Sequence, residues 1–122
     1  MISTLISILI IPIWTIVFLA GSVTFYIIMS LFGSKNIHSV SRLLARLFIL
    51  SGFQRFKIQG HLPEKKNGPY LYLFNHGSIF DPFMIIAAVP HYITGVGSKE
   101  QFEWPVWGRL AKKYGLIPIE RK

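Results

Sequence analysis

The sequence contains no cysteine, a single aspartate and, before Lys35, no charged side chain. The lack of cysteine excludes disulfides, thiolate nucleophiles and cysteine-based metal sites. The first 34 residues hold no Asp, Glu, Lys or Arg, so they cannot form an ordinary water-facing surface. Of the 122 residues, 88 remain for a part exposed to water, which allows one small domain at most.

The uncharged N-terminal segment, residues 1–33, is predicted to be a hydrophobic membrane anchor that precedes a second part over residues 34–122. As one helix, Met1 to Phe32 would be roughly 50 Å long at about 1.5 Å per residue. The hydrocarbon core of a bilayer is about 30 Å thick. A tilted single span and a helical hairpin that turns back near Gly21 and Ser22 therefore both fit. A cleaved signal peptide is disfavoured, because the start carries no positive charge and the apolar run is too long.

The charged residues are strongly biased toward positive charge. Thirteen Lys and Arg stand against five Asp and Glu, all of them after residue 34, and the net charge is +8. A surface of this kind favours anionic lipid headgroups, phosphorylated substrates or nucleic acid as partners. Because Lys35, Arg42 and Arg46 closely follow the anchor, the positive-inside rule predicts that the second part faces the cytosol.

The first half of the second part is predicted to contain one helix and two strands. Val40 to Ser51 has helical periodicity, and Gly52 is a plausible C′ residue. This helix carries Arg42 and Arg46 on one side, so it is expected either to lie in the membrane interface or to pack on a core with its arginines solvated.

Two strands are predicted to follow the helix. Arg55 to Gln59 alternates polar and apolar residues, as in a half-buried strand. The apolar run Tyr70 to Phe74 is typical of a central parallel strand.

The elements that follow complete an α/β pattern. Asp81 and Pro82 are predicted to be the N-cap and N1 residues of a helix that ends near Ala88. A strand is predicted over Tyr92 to Val96, a helix closed by a glycine over Pro105 to Tyr114, and a short last strand over Leu116 to Ile119. The expected fold is α/β, with a partial mixed or parallel sheet and flanking helices behind the membrane segment.

The residues that carry chemistry follow the apolar run. Asp81 lies five positions after His76 (HX4D spacing), and a turn between strand and helix would bring the two together. A histidine oriented by a carboxylate can act as general base on a hydroxyl. Alternatively, Asp81 is only a helix cap and His76 only a strand-end histidine. A metal site is disfavoured because the other histidines lack ligand spacing to His76, and Ser78 does not lie in the nucleophile elbow of a hydrolase.

Two ordered motifs carry a resemblance to a known family. The run Asn75-His76-x-Ser78-x-x-Asp81 resembles the NHxSxxD signature of the glycerolipid acyltransferases, whose best-known members are the 1-acyl-glycerol-3-phosphate acyltransferases. Further on, Lys99-Glu100, Pro105-x-x-Gly108 and Gly115-x-Ile117-x-Ile119-Glu120-Arg121 resemble the family's K-E-x, P-x-x-G and G-x-I-x-I-[DE]-R run. The resemblance implies a glycerol-3-phosphate acyltransferase-like fold from about Val40 onward.

The resemblance also implies the reaction and its partners. The enzyme would move a fatty acyl group from acyl-CoA or acyl-carrier protein, its co-substrate, to a lysophospholipid, with 1-acyl-glycerol-3-phosphate as the leading acceptor in phospholipid biosynthesis. It would need no other cofactor and no metal, and its partners would be membrane lipid and these substrates, without nucleic acid. The implied catalytic residues are His76 as base and Asp81 as its orienter. The implied substrate-binding residues are Arg121, Lys99, Asn75 and Ser78.

The sequence departs from the family pattern after the second motif. The family's third motif, Glu-Gly-Thr-Arg, has no counterpart here. The chain is therefore expected to be either a fragment or a naturally short form with weak or no activity, with the C-terminal part of the domain missing. The alternative function is a non-catalytic membrane-surface protein. It would bind anionic lipid through its basic helix and its cationic tail.

Overall fold

Helix α1 covers Ile2–Phe32 without interruption, so the predicted hairpin is wrong and the single-helix alternative is confirmed. The structure is a computed structural model and describes residues 2–120. Gly21 lies inside the helix, where a glycine costs only about 1 kcal/mol relative to alanine. That cost is too small to break a long apolar helix.

The composition of α1 fits a lipid environment. Residues Ile6–Phe32 are long and apolar enough to cross a membrane, and no other helix in residues 2–120 meets this criterion. The hydroxyls of Thr15, Thr24 and Ser30 each donate to the carbonyl four residues earlier, at 2.8 to 2.9 Å. Such back-bonding satisfies a hydroxyl where no water is present.

Two compact units make up the chain. The first comprises Met1–Ile37 and Thr94–Lys122, and the second comprises His38–Ile93. Together they contain helices and a small parallel sheet, which is compatible with the predicted α/β class. The predicted division into an anchor over residues 1–33 and a catalytic part over residues 34–122 stays a prediction.

The first unit adds a short α/β motif to α1. Strand β1 (Val96–Ser98) pairs in parallel with β2 (Ile117–Ile119), with Val96 opposite Ile117. Between them lie a 3-10 helix over Lys99–Glu103 and helix α4 over Trp107–Tyr114. The helix end predicted at Tyr114 is confirmed, because Gly115 takes the left-handed conformation (φ 101°) that a C′ glycine favours. Its start lies two residues after the predicted Pro105.

Packing within this motif explains why residue 108 is a glycine. A Cβ atom at Gly108 would collide with the backbone carbonyl of Phe102 in the 3-10 helix. The close approach of these two helices therefore requires glycine. This explains one position of the P-x-x-G block by packing alone.

The second unit is built around two packed helices. Helix α2 covers His38–Ser51 and α3 covers Asp81–Ala88. Their core consists of Ala45, Ile49 and Ala87. Partly buried side chains pack on this core, namely Phe56, Phe80, Phe83, Met84 and Ile86. The core-packing alternative for α2 is therefore confirmed.

The arginines of α2 do not form a fully solvated face, and that part of the prediction is wrong. Arg42 Nε and Arg46 Nη2 donate to the carbonyl oxygen of Ala87, at 3.4 and 3.3 Å. This carbonyl lies in the last turn of α3, where positive charge is favoured by the helix dipole. The basic helix thus directs its charge at a neighbouring helix within its own unit.

Helix α2 ends at Ser51, as predicted, but its C′ residue differs from the prediction by one position. Gln54 N–H donates to Ile49 O and Phe53 N–H donates to Leu50 O, the bond pair of a Schellman motif. The left-handed C′ residue is Phe53 (φ 56°), whereas Gly52 lies one position before it. Gly52 as C′ is therefore wrong, because these bonds place the turn one residue later.

Two predicted strands are absent from the second unit. Neither Arg55–Gln59 nor Tyr70–Phe74 has strand pairing. The second segment was expected to be covered on both faces, yet Leu71 and Leu73 are 85% and 87% exposed. An apolar run becomes a strand only with hydrogen-bonded neighbours, and the described residues pair no strand with either segment. Both segments lack regular secondary structure.

Candidate active site

The turn between Phe74 and α3 holds the two residues that the HX4D spacing singles out. Asp81 N–H donates to Ser78 O at 3.2 Å, which closes the turn directly before the helix. Ser78 Oγ accepts a hydrogen bond from Phe80 N–H at 3.2 Å. Serine is common in such turns because its hydroxyl can replace a backbone acceptor. The five-residue separation is thereby closed by local structure.

The carboxylate of Asp81 reaches back across this turn. Asp81 Oδ2 accepts hydrogen bonds from the backbone N–H groups of Gly77 and Ser78, both at 2.7 Å. The predicted N-cap is wrong by one residue: the N-cap is Phe80, and Asp81 is the first residue of α3. The carboxylate of Asp81 accepts hydrogen bonds from backbone amides that precede the helix, and not from amides in the first turn of the helix.

These hydrogen bonds fix the charge of Asp81. The N–H groups of Ser78 and Gly77, with a smaller contribution from His76, hold the pKa of the Asp81 carboxyl below its ordinary value. Hydrogen bonds donated to a carboxylate favour its ionised form. Asp81 is therefore an anion at neutral pH.

His76 is the third donor to the same oxygen. His76 Nδ1 lies 3.1 Å from Asp81 Oδ2, which confirms the predicted proximity. Because the carboxylate is ionised, Nδ1 carries the proton in the neutral ring, and Nε2 keeps its lone pair. The side chain is 55% exposed, so the lone pair is accessible to a reactant.

A groove adjoins the pair within the same unit. It has a volume of about 380 Å³, within the size range of ligand sites. Asn75 and Asp81 line it near the turn before α3. Its remaining lining is mostly apolar and comes from Phe56, Lys57, Ile58, Gln59, Phe74, Met84, Ile85 and Ala88.

The apolar lining of the groove was not predicted from the sequence as part of a candidate site. Phe56 and Ile58 belong to the alternating segment that was predicted to be a strand. That alternation indicated that the apolar side chains point in a common direction. It was the one signal in the sequence that could have identified Phe56 and Ile58 as lining residues. Their position opposite α3 could not be derived, because it depends on how the chain folds back.

Comparison with known proteins assigns the family. The family model described as Acyltransferase matches residues 55–122, which is more than half of the chain. The chain belongs to the Acyltransferase family. Comparison with curated proteins and with solved structures gives no match.

In this acyltransferase the remaining candidate residues are divided between the units. Lys99 belongs to the first unit and follows β1, and its ammonium lies 2.7 Å from the carboxylate of Glu120, which follows β2. Asn75 and Ser78 lie in or next to the turn before α3 in the second unit. Arg121 lies outside the described residues. The structure therefore brings together His76, Asp81, Asn75 and Ser78, and gives Lys99 a carboxylate partner.

Proposed function

We propose that this acyltransferase moves a fatty acyl group from acyl-CoA or acyl-carrier protein to the free hydroxyl of a lysophospholipid, with 1-acyl-glycerol-3-phosphate as the acceptor, in phospholipid biosynthesis. The observation that carries the proposal is the hydrogen bond between His76 Nδ1 and Asp81 Oδ2. It leaves a basic ring nitrogen, oriented by an anion, at an exposed turn. The family match supports acyl transfer as the reaction.

The chemistry needs no covalent enzyme intermediate. His76 Nε2 takes the proton of the acceptor hydroxyl while its oxygen attacks the thioester carbonyl. The imidazolium that forms is stabilised by the Asp81 carboxylate. Collapse of the tetrahedral intermediate forms the ester bond, breaks the carbon–sulfur bond and expels the thiolate, which receives the proton from His76. The absence of cysteine from the chain is therefore no obstacle.

We assign each part of the substrates to residues whose chemistry suits it. The apolar groove beside Asp81 suits the acyl chain of the donor, and Asn75 and Ser78 orient the reacting groups at the turn. Lys99 and Arg121 bind the acceptor phosphate, as a point charge and as a planar fork respectively. We also propose a glycerol-3-phosphate acyltransferase-like fold, with the catalytic residues on the cytosolic face.

The proposal is tested by the reaction itself. Purified protein in phosphatidylcholine vesicles is incubated with oleoyl-CoA or oleoyl-carrier protein and a panel of lysophospholipids. We expect phosphatidic acid to form from 1-acyl-glycerol-3-phosphate, with one free thiol released for each ester formed. Thiol release without ester formation would identify a thioesterase instead, and no turnover with any lysophospholipid would refute the proposal.

Narrowing the groove should change acyl-chain selectivity. Ala88 lines the groove at the end of α3, so Ala88→Leu fills space that a long chain would occupy. We expect the ratio of kcat/KM for hexadecanoyl over octanoyl donors to fall about tenfold, since each methylene in an apolar pocket is worth about 1–3 kcal/mol.

The same substitution at Ala20 is the matched control, since Ala20 is exposed on α1 and does not line the groove. Ala20→Leu should leave the ratio unchanged. An unchanged ratio in Ala88→Leu would show that the acyl chain binds elsewhere.

A further inference from the structure

Helix α4 carries a cationic face. Arg109, Lys112 and Lys113 stand at spacings of three and four residues, which places them on one side of the helix. The helix contains no acidic residue. Among residues 2–120, the ion pairs involve none of these three side chains. A surface of this composition attracts anions.

The opposite side of α4 is buried, and part of it packs on α1. Tyr114 lies against Phe25, with ring centroids 6.1 Å apart. Covered positions on α1 include Ser22 and Met29, which are 7% and 1% exposed. Because positions 22, 25 and 29 recur at helical spacing, α4 covers one flank of the last third of α1.

The uncovered flank of the same stretch is apolar. Val23, Ile27 and Leu31 recur at every fourth position and are exposed. They continue the exposed apolar surface of the membrane-capable segment Ile6–Phe32. The 27 residues of this segment span about 40 Å, against roughly 30 Å of hydrocarbon. The helix must therefore tilt to keep this flank in lipid.

A tilted helix leaves the hydrocarbon earlier on one flank than on the other. The flank that α4 covers is the one that leaves first, because α4 places the ammonium group of Lys113 beside it. Lys113 marks this level, because its Nζ lies 5.6 Å from the ring centroid of Tyr26. Tyrosine and lysine are the side chains expected where hydrocarbon meets headgroups.

We propose that the cationic face of α4, consisting of Arg109, Lys112 and Lys113, binds anionic phospholipid headgroups at the point where α1 leaves the bilayer. Phosphate groups at this level meet three cations and no competing carboxylate of the helix. The contact concentrates anionic lipid around the protein. It is independent of acyl transfer, so His76→Ala should preserve it.

Lipid enrichment around the reconstituted full-length chain tests the proposal. The protein is placed in phosphatidylcholine vesicles with a trace of either phosphatidylglycerol or phosphatidylcholine, both carrying the same acyl-chain fluorophore. Energy transfer from the tryptophans reports the lipids next to the protein. We expect the anionic lipid to be preferred about fivefold or more at low salt, and the preference to fall as salt is raised.

Three triple variants decide the assignment. Replacing Arg109, Lys112 and Lys113 by Gln should abolish the preference, while the exchange Arg109→Lys, Lys112→Arg, Lys113→Arg should retain it. The matched control Arg55→Gln, Lys65→Gln, Lys66→Gln removes the same charge from the second unit and should also retain it. The proposal is overturned if wild type shows no preference, if the first variant keeps it, or if either of the other two loses it.

Discussion

Replacing His76 by alanine should reduce acyl transfer by about 10²–10⁴-fold, the usual contribution of a general base. The reduction should fall on kcat, because the ring nitrogen acts on the hydroxyl proton during attack and holds no substrate before it. The measurement is steady-state transfer from oleoyl-CoA to 1-acyl-glycerol-3-phosphate. Membrane attachment, measured by vesicle flotation, should be unchanged, since α1 is untouched.

His61→Ala is the matched control, because His61 is an exposed histidine of the same unit. It should keep wild-type turnover. Turnover of His76→Ala at the wild-type rate would exclude His76 as the base, even if the protein is an acyltransferase.

Replacing Asp81 by asparagine should lower kcat by about 10²-fold or more while the turn is preserved. All three donors converge on one oxygen, Oδ2, so the amide oxygen of asparagine can take that position. The ring then keeps its tautomer but loses the negative charge that stabilises the imidazolium. The variant therefore removes the charge and keeps the geometry of the turn. The value of kcat reports the effect of the lost charge, and the thermal midpoint Tm reports whether the turn is preserved.

Asp81→Ala removes the charge and the acceptor together. It should lower kcat at least as much as asparagine and should also lower Tm, because the turn loses its three hydrogen bonds. Glu64→Gln removes a surface carboxylate whose one ion pair within residues 2–120 is with Lys66, and should change neither quantity. If Asp81→Asn matched wild-type kcat, the carboxylate charge would have no catalytic role.

Features that depend on local sequence were predictable. The end of α4 at Tyr114 followed from Gly115, since a left-handed C′ residue is a property of a few consecutive residues. The proximity of His76 and Asp81 followed from a turn of known length. The catalytic roles of the pair, and those of Lys99, Asn75 and Ser78, stay predictions.

Features that depend on distant partners were not predictable. Tyr70–Phe74 has the composition of a buried strand, but a strand is defined by its neighbours. The cations of α2 were read as solvated because nothing local indicates that Ala87 O lies within their reach. The groove is lined by residues 56–59 together with residues of α3, segments more than twenty residues apart along the chain.

The small errors at helix ends have a different cause. Gly52 and Phe53 are adjacent, as are Phe80 and Asp81, and the sequence allows either member of the first pair as C′ residue and either member of the second as N-cap. Which member takes the position depends on the hydrogen bonds that the neighbouring amides find. At Asp81 the backward bonds to Gly77 and Ser78 decide it, and the same bonds set the charge of the site.

The order in which the parts of this protein form follows from the shortness of the turn between His76 and Asp81. These two residues are only five positions apart along the chain, and even a ten-residue loop closes in about 10–100 ns. The pairing of β1 with β2 must bring together residues 21 apart along the chain, at a greater loss of chain entropy. His76 and Asp81 can therefore meet early in folding, before the parallel sheet is assembled.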